Sequence, residues 1–180
     1  ALADITIYAT TGYLGDAVAK IAPDAEVITM VGPGGDPHTY QPSTQDIQTI
    51  QAADAVVWNG LFLEARMEDL LMGLGDKAIA TAEMLPAAML LPWEDDLNDP
   101  HVWNSPVAWA LIVGHVADHL AEIDPDNAQT YVANAKAFIA EIRAADAEAT
   151  KMMASIPEGS VLITGHDAFE YFGDIYGLEV

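Results

Sequence analysis

Short runs of β-branched and other apolar residues recur at positions 4–10 (DITIYAT), 27–31 (VITMV), 55–58 (AVVW) and 78–81 (AIAT), and amphipathic stretches separate the first three. Strands alternating with helices in this way predict an α/β fold on a parallel sheet. Two of the helix starts carry their own punctuation. In PSTQDIQTI, Ser43 is placed to cap the first turn while Asp46, three residues on, reaches back as in a capping box. In SPVAWALIVGHVADHL, Ser105 stands at the cap and Pro106 at the first helical position, where its missing N–H costs nothing.

Beyond residue 123 the pattern changes. The stretch DPDNAQTYVANAKAFIAEIRAADAEATKMMASIPEG reads as one helix over 125–154, capped by Asp124, opened by Pro125 and ended before Pro157 and Gly159. Tyr131, Phe138, Ile142, Ala145, Ala149 and Met152 fall on a single stripe of it. Roughly 30 residues at 1.5 Å each make a rod of about 45 Å, more than one small sheet needs, so the helix reads as a strut. VLIT at 161–164 then begins another strand, and AFEYFGDIYG another helix. The expected organisation is an amino-terminal α/β lobe over 1–123, a linking helix over 124–156, and the first strand and helix of a second lobe over 157–180.

Composition narrows the chemistry. The hydrophobic fraction of 52% over 180 residues is ample for a buried core. Six Lys plus Arg against 28 Asp plus Glu give a formal charge of -22, which argues against nucleic acid or an anionic membrane as partner and favours cations. A solubilising surface is the blander reading of the same acidity. Without a single cysteine, thiolate metal sites, disulfides and cysteine nucleophiles are excluded, and any metal site must use histidine and oxygen. The longest apolar run is shorter than a membrane-spanning helix requires. The opening ALADITIYATTG carries no basic segment followed by an apolar core, as expected of a mature or trimmed protein from which a signal peptide has gone.

Two of the five histidines stand directly behind Asp-Pro, in DPHTY at 36–40 and DPHVW at 99–103. Proline fixes its own φ and drives the preceding residue extended, so each tripeptide presents its imidazole from a stiff loop. His38 and His101 are therefore candidate metal ligands, with Asp36 and Asp99 as hydrogen-bonding supports; loop histidines packed for structure are the competing reading. His166, in VLITGHDAF, follows a strand directly, in the kind of βα loop where open α/β sheets bind ligands. His115 and His119 lie four apart on a helix and could chelate, but the apolar face of that helix points elsewhere and a surface flank is expected. GPGGD at 32–36 lacks the Lys-Ser/Thr of a phosphate-cradling loop and reads as a turn that delivers His38. The acidic half of PAAMLLPWEDDLNDP reads as a solvated crossover.

The blocks VGPGGDPHTYQPSTQDIQTIQAADAVVWNGLFLEARMEDLL, DPHVWNSPVAWALI, DPDNAQTYVANAKAF and VLITGHDAFEYFGDIYGLEV, in that order, resemble the solute-binding proteins of manganese, zinc and iron ABC importers. The resemblance implies two α/β lobes joined by a long helix, with one metal ion held in the cleft between them. It makes His38, His101 and His166 the first three metal ligands, with a fourth, an Asp or Glu, expected beyond residue 180. The chain then corresponds to the first lobe, the strut and a truncated second lobe; the unpaired strand edges and apolar Phe169, Phe172 and Ile175 of that end predict either self-association through residues 161–180 or a further, disordered remainder. Asn104 and Ser105 depart from the apolar residue and Asp frequent in the family, and no histidine-rich loop of the zinc-receptor kind lies between 38 and 101. The manganese-type branch is the better match, so manganese ranks first and zinc second as transported ligand.

What the resemblance implies is an extracytoplasmic receptor, periplasmic or lipid-anchored, that delivers the ion to an ABC permease and is not an enzyme. Three imidazoles and a carboxylate suit Zn²⁺ and, with extra oxygen ligands, Mn²⁺. The alternative from another class is a zinc-dependent hydrolase using an open three-His site, against which no Glu or Asp stands out as a general base. A cell-adhesion reading rests on names given to relatives and on no feature of this sequence.

Overall fold

The computed structural model describes residues 5–180. Four strands, β1 (Thr6–Ala9), β2 (Glu26–Thr29), β3 (Ala55–Trp58) and β4 (Ala78–Ala80), form a parallel sheet in the order β2-β1-β3-β4. All four apolar runs of the first 81 residues thus became strands: β3 matches its run, β1 and β4 are shorter than theirs, and β2 starts one residue early and ends two early; position 4 lies outside the described residues.

The sheet is covered on both faces, which is why the central strands β1 and β3 are buried on both sides rather than alternating. Ile7, Ala9, Ala55 and Val57 point into one core with α1 (Gly12–Ile21), α4 (Pro106–Ile123) and the start of α5 (Ala128–Met153). Tyr8, Val56 and Trp58 point into a second, with Ile50 of α2 (Thr44–Ala52) and Leu71 of α3 (Glu68–Met72). Helix α1 lies close on the end of β2: a Cβ at Gly15 would come within 2.4 Å of Thr29 Oγ1, so no larger residue fits there without a shift.

The expected caps are present. The Ser43 hydroxyl accepts from the Asp46 amide, and the Asp46 carboxylate accepts from the Ser43 amide. Ser105 accepts from the Ala108 amide, with Pro106 opening α4.

The strut begins later than its sequence suggests. Pro125–Asn127 form a 3₁₀ turn, and Asp124 does not cap the helix; its carboxylate accepts instead from the Asn127 amide group and the Tyr131 hydroxyl. The 26 residues of α5 span about 39 Å. Tyr131 is buried and Phe138 and Ile142 pack on the first core, whereas Met152, further along the same stripe, is exposed.

The final segment is better anchored than its pattern promises. Only Ser160–Val161 (β5) is strand, pairing in parallel with Leu178–Glu179 (β6), so the expected strand over 161–164 is reduced to its first residue. Between them α6 (Glu170–Tyr176) stops at Gly177, which adopts the left-handed conformation (φ 73°) that ends helices. Tyr171 plugs into the first core, and Tyr176 donates to Asp146 of α5 at 2.8 Å. Val161, Ile163 and Ile175 stay exposed, Ile163 at 89%.

Candidate metal centre

Parallel strands all point one way, so every loop that follows a strand opens on the same edge of the sheet. The turn after β2 leads to His38, and the long connection after β4 carries His101. His166 comes from the loop between β5 and α6. The three ring systems converge: one nitrogen from each lies within 4.8 Å of the other two, and the ring centroids are 5.1, 5.4 and 5.9 Å apart.

Each Asp-Pro-His loop is set by its own aspartate. Asp36 Oδ1 accepts from the His38 amide at 2.9 Å and therefore braces the loop, not the ring. Asp99 does both: Oδ1 accepts from the His101 amide at 3.0 Å and faces the ring Nδ1 at 2.7 Å. With Nδ1–H donated to Asp99, the Nε2 lone pair of His101 is turned toward the centre. His101 is only 1% exposed, held edge-on between Trp93 and Trp103, each with its centroid 5.3 Å away. Tyr13 stacks on the other face of this arrangement, 4.3 Å from Trp103. Burial first, then the neighbouring His101, hold the His38 imidazole below the usual histidine range, with Asp36 pulling the other way. His166 and Asp167 are exposed; Asp167 stands by Glu170, whose carboxyl burial and then Asp167 push up.

Behind Asn59, which contacts the segment carrying His101, lies a buried carboxylate. Glu64 is 1% exposed and sits between the ends of β1 and β3, the point where the strand order reverses. Its Oε2 accepts from the Thr10 hydroxyl and the Asn59 amide, both at 2.7 Å, and its Oε1 from the Gly60 amide at 3.1 Å. Even with three donors, burial pushes this carboxyl up to about 7. The turn it secures is strained, since Leu61 and Phe62 follow Gly60 in the left-handed region (φ 52° and 65°), at a cost of about 1–2 kcal/mol for each side-chain-bearing residue. Asn59, fixed in this way, donates to the Pro100 carbonyl at 3.0 Å, immediately before His101.

The helix pair takes no part. His119 donates from Nε2 to the Lys77 carbonyl at 2.9 Å and is half-buried, so it is an anchor for the turn before β4 and not the surface flank its position suggests. Lys77 in turn gives its ammonium to the carbonyls of Ile50, Gln51 and Ala53 at the end of α2, where a cation suits the helix dipole. His115 lines a groove between α4 and α5. Glu64, Asn59, Trp93 and Tyr171 were not singled out from sequence, and Asn104 only as a departure from the family pattern; the NG dipeptide at 59–60, a turn signal, could have pointed to the first two.

Residues 7–180 match the family described as zinc-uptake complex component A, periplasmic. This chain belongs to that family. It is 38% identical over 181 residues to the manganese-binding lipoprotein MntA of Bacillus subtilis, covering 98% of this chain and 59% of the relative. It is 34% identical to the zinc-binding protein TroA of Treponema pallidum, with 97% and 58% covered. The solved structure of the periplasmic zinc-binding protein TroA superposes with a TM-score of 0.92 at 33% identity, over 98% of this chain and 65% of that one. The Zn(II)-bound AdcA of Streptococcus pneumoniae gives 0.85 at 32% identity, covering 98% and 38%. The chain therefore spans a little under two thirds of the length of MntA and TroA and 38% of AdcA. The family consists of solute-binding proteins, not enzymes, and the lobe architecture of the sheet and long helix is that of TroA.

Proposed function

We propose that this protein is a receptor that captures a divalent transition metal outside the cytoplasm and delivers it to an ABC permease, with His38, His101 and His166 as ligands. The observation that carries the reading is the convergence of three imidazoles from three separate loops within 4.8 Å, one of them oriented by a buried aspartate. The names of the relatives support it, since they bind manganese, zinc or iron and several are lipoproteins. The same reading divides the chain into a first lobe over 1–123, a linking helix over 124–156 and part of a second lobe over 157–180, and places the ion where the lobes meet.

Manganese ranks first as cargo because the relative at 38% identity is a manganese-binding lipoprotein, and zinc second. Ligand chemistry does not reverse that order: an imidazole set binds Zn²⁺ more tightly than Mn²⁺ whatever the physiological cargo. Calorimetric titration with Mn²⁺ and Zn²⁺ tests the capture step, and metal uptake by cells lacking the gene tests delivery. Binding of one ion per chain with no turnover of ester or phosphate substrates is the expected result; hydrolysis that depends on His38 and His101 would favour an enzyme.

A further inference from the structure

His166 reaches the centre from a loop with little hold of its own. Its preceding strand is two residues long, and Gly165, His166 and Asp167 are all exposed. The Thr164 hydroxyl donates to the His166 carbonyl at 2.9 Å, but that bond lies within the loop and fixes it to nothing else. Two side chains tie this region to the segment that carries His101. Asn104 donates from Nδ2 to the Ala168 carbonyl at 2.6 Å. The Tyr171 hydroxyl donates to the Asp99 carbonyl at 2.7 Å and accepts from the Leu91 amide at 3.1 Å. A carbonyl acceptor leaves no ambiguity about which end of the Asn104 amide faces it.

These positions make a coupling. Asn104 lies three residues after His101, at the end of a 3₁₀ turn over Val102–Asn104, and its acceptor lies two residues after His166. Tyr171 fastens the next turn of chain to the backbone of the aspartate that orients His101. Tyr171 is buried in the core and so is a fixed point, whereas Asn104 is half-buried at the cleft surface beside His38, His101 and His166. Of the two, Asn104 is the contact that can open without dismantling the core.

We propose that Asn104 is a positioning residue for the third histidine: its hydrogen bond to Ala168 holds the 162–169 loop against the first lobe, keeps His166 in reach of the other two imidazoles, and sets how long a bound ion stays. The inference rests on the metal-receptor reading above. When the bond is made, His166 completes a three-nitrogen set; when it opens, the ion is left on His38 and His101 and departs faster. A second-lobe loop controlled by one amide is thus the release point of the site.

The test is a mutant cycle read with Zn²⁺. Asn104→Leu keeps the approximate shape and removes the donor, while Asn104→Gln keeps a donor on a longer arm. Stopped-flow transfer of Zn²⁺ to a chromophoric chelator gives the dissociation rate, and calorimetry the affinity, for the full chain, for each variant, for His166→Ala and for His166→Ala with Asn104→Leu. Expected is a rise of about tenfold in dissociation rate for Asn104→Leu, the scale of losing an outer-shell contact, with partial recovery in Asn104→Gln and no further change in the His166→Ala background. Tyr171→Phe should shift the rate in the same direction. Unchanged kinetics in Asn104→Leu, or the same fold-change with and without His166, would overturn the proposal while leaving the receptor reading intact. A wild-type chain that holds Zn²⁺ no better than a His38→Ala/His101→Ala variant would remove that reading and the proposal together.

Discussion

Nε2 of His38 and Nε2 of His101 stand 3.0 Å apart, close enough that one ring must donate to the other. With a neutral His101 giving its Nδ1 proton to Asp99, the contact calls for a hydrogen on His38 Nε2. Two nitrogens on one tetrahedral Zn²⁺ at about 2.0–2.1 Å would lie about 3.3–3.4 Å apart. The pair therefore already stands close to the separation that one bound ion needs.

Replacing His38, His101 or His166 singly by Ala should lower Zn²⁺ affinity at least tenfold, as measured by competition with a calibrated chelator. His115→Ala should leave it unchanged. His119→Ala should also leave affinity alone but cost about 1 kcal/mol in urea unfolding, because its hydrogen bond to Lys77 is lost. Metal binding that depended on 115 and 119 and not on the loop residues would refute the ligand assignment.

Asp99 is the orienting group of the centre, and its second oxygen, Oδ2, is buried without a partner. Asp99→Asn keeps the shape and an acceptor but loses the charge that strengthens the bond to His101. The expected loss is about tenfold in metal affinity with the far-UV circular dichroism unchanged. Asp36→Asn, whose carboxylate meets, among the described residues, the His38 backbone and Thr39, should have a smaller effect, and equal losses at the two sites would contradict the distinction drawn from their contacts.

Imidazoles ligate only when neutral, so protons compete with the ion. As pH falls through the ordinary histidine range near 6.5, each ligand that gains a proton weakens binding. His38, held below the usual histidine range by burial and by His101 and bordered by His166, Asp36 and Asp99, should stay neutral further into acid than an ordinary histidine. Zn²⁺ affinity measured between pH 5 and 7.5 should thus fall toward acid, and His38→Ala should make the fall less extended at its acid end. A flat profile would place the ion on surface carboxylates.

Much of this was legible in the residues. The parallel sheet announced itself through four apolar runs, and the two Asp-Pro-His loops, rigid by covalent constraint, marked two of the three histidines that converge. What sequence could not show depended on contacts across the fold. Glu64 looks like one acidic residue among 28 until Thr10, Asn59 and Gly60 are seen around it. Asp124 has the right identity and place for a cap, but Tyr131 and Asn127 compete for its carboxylate, and the first turn tightens to 3₁₀. The strand over 161–164 failed for a simpler reason: its partner, at 178–179, is only two residues long.

Glu64 also yields a prediction about stability. With its carboxyl at about 7 in the folded chain and near the ordinary 4.5 when unfolded, the native state holds the extra proton between those values. Stability from this group is then present below pH 4.5 and lost as pH rises through 7. The displacement corresponds to about 3 kcal/mol for a buried, unscreened group. Glu64→Gln cannot titrate and should also weaken the grip on Asn59, which positions the Pro100 carbonyl. Urea unfolding of both metal-free proteins should show the wild type losing about 3 kcal/mol relative to the variant between pH 4.5 and 7.5, a difference in which every other titrating group cancels. Parallel stability curves would mean that the three donors around Glu64 keep it ionised, and that the site rests on a buried negative charge rather than on a proton.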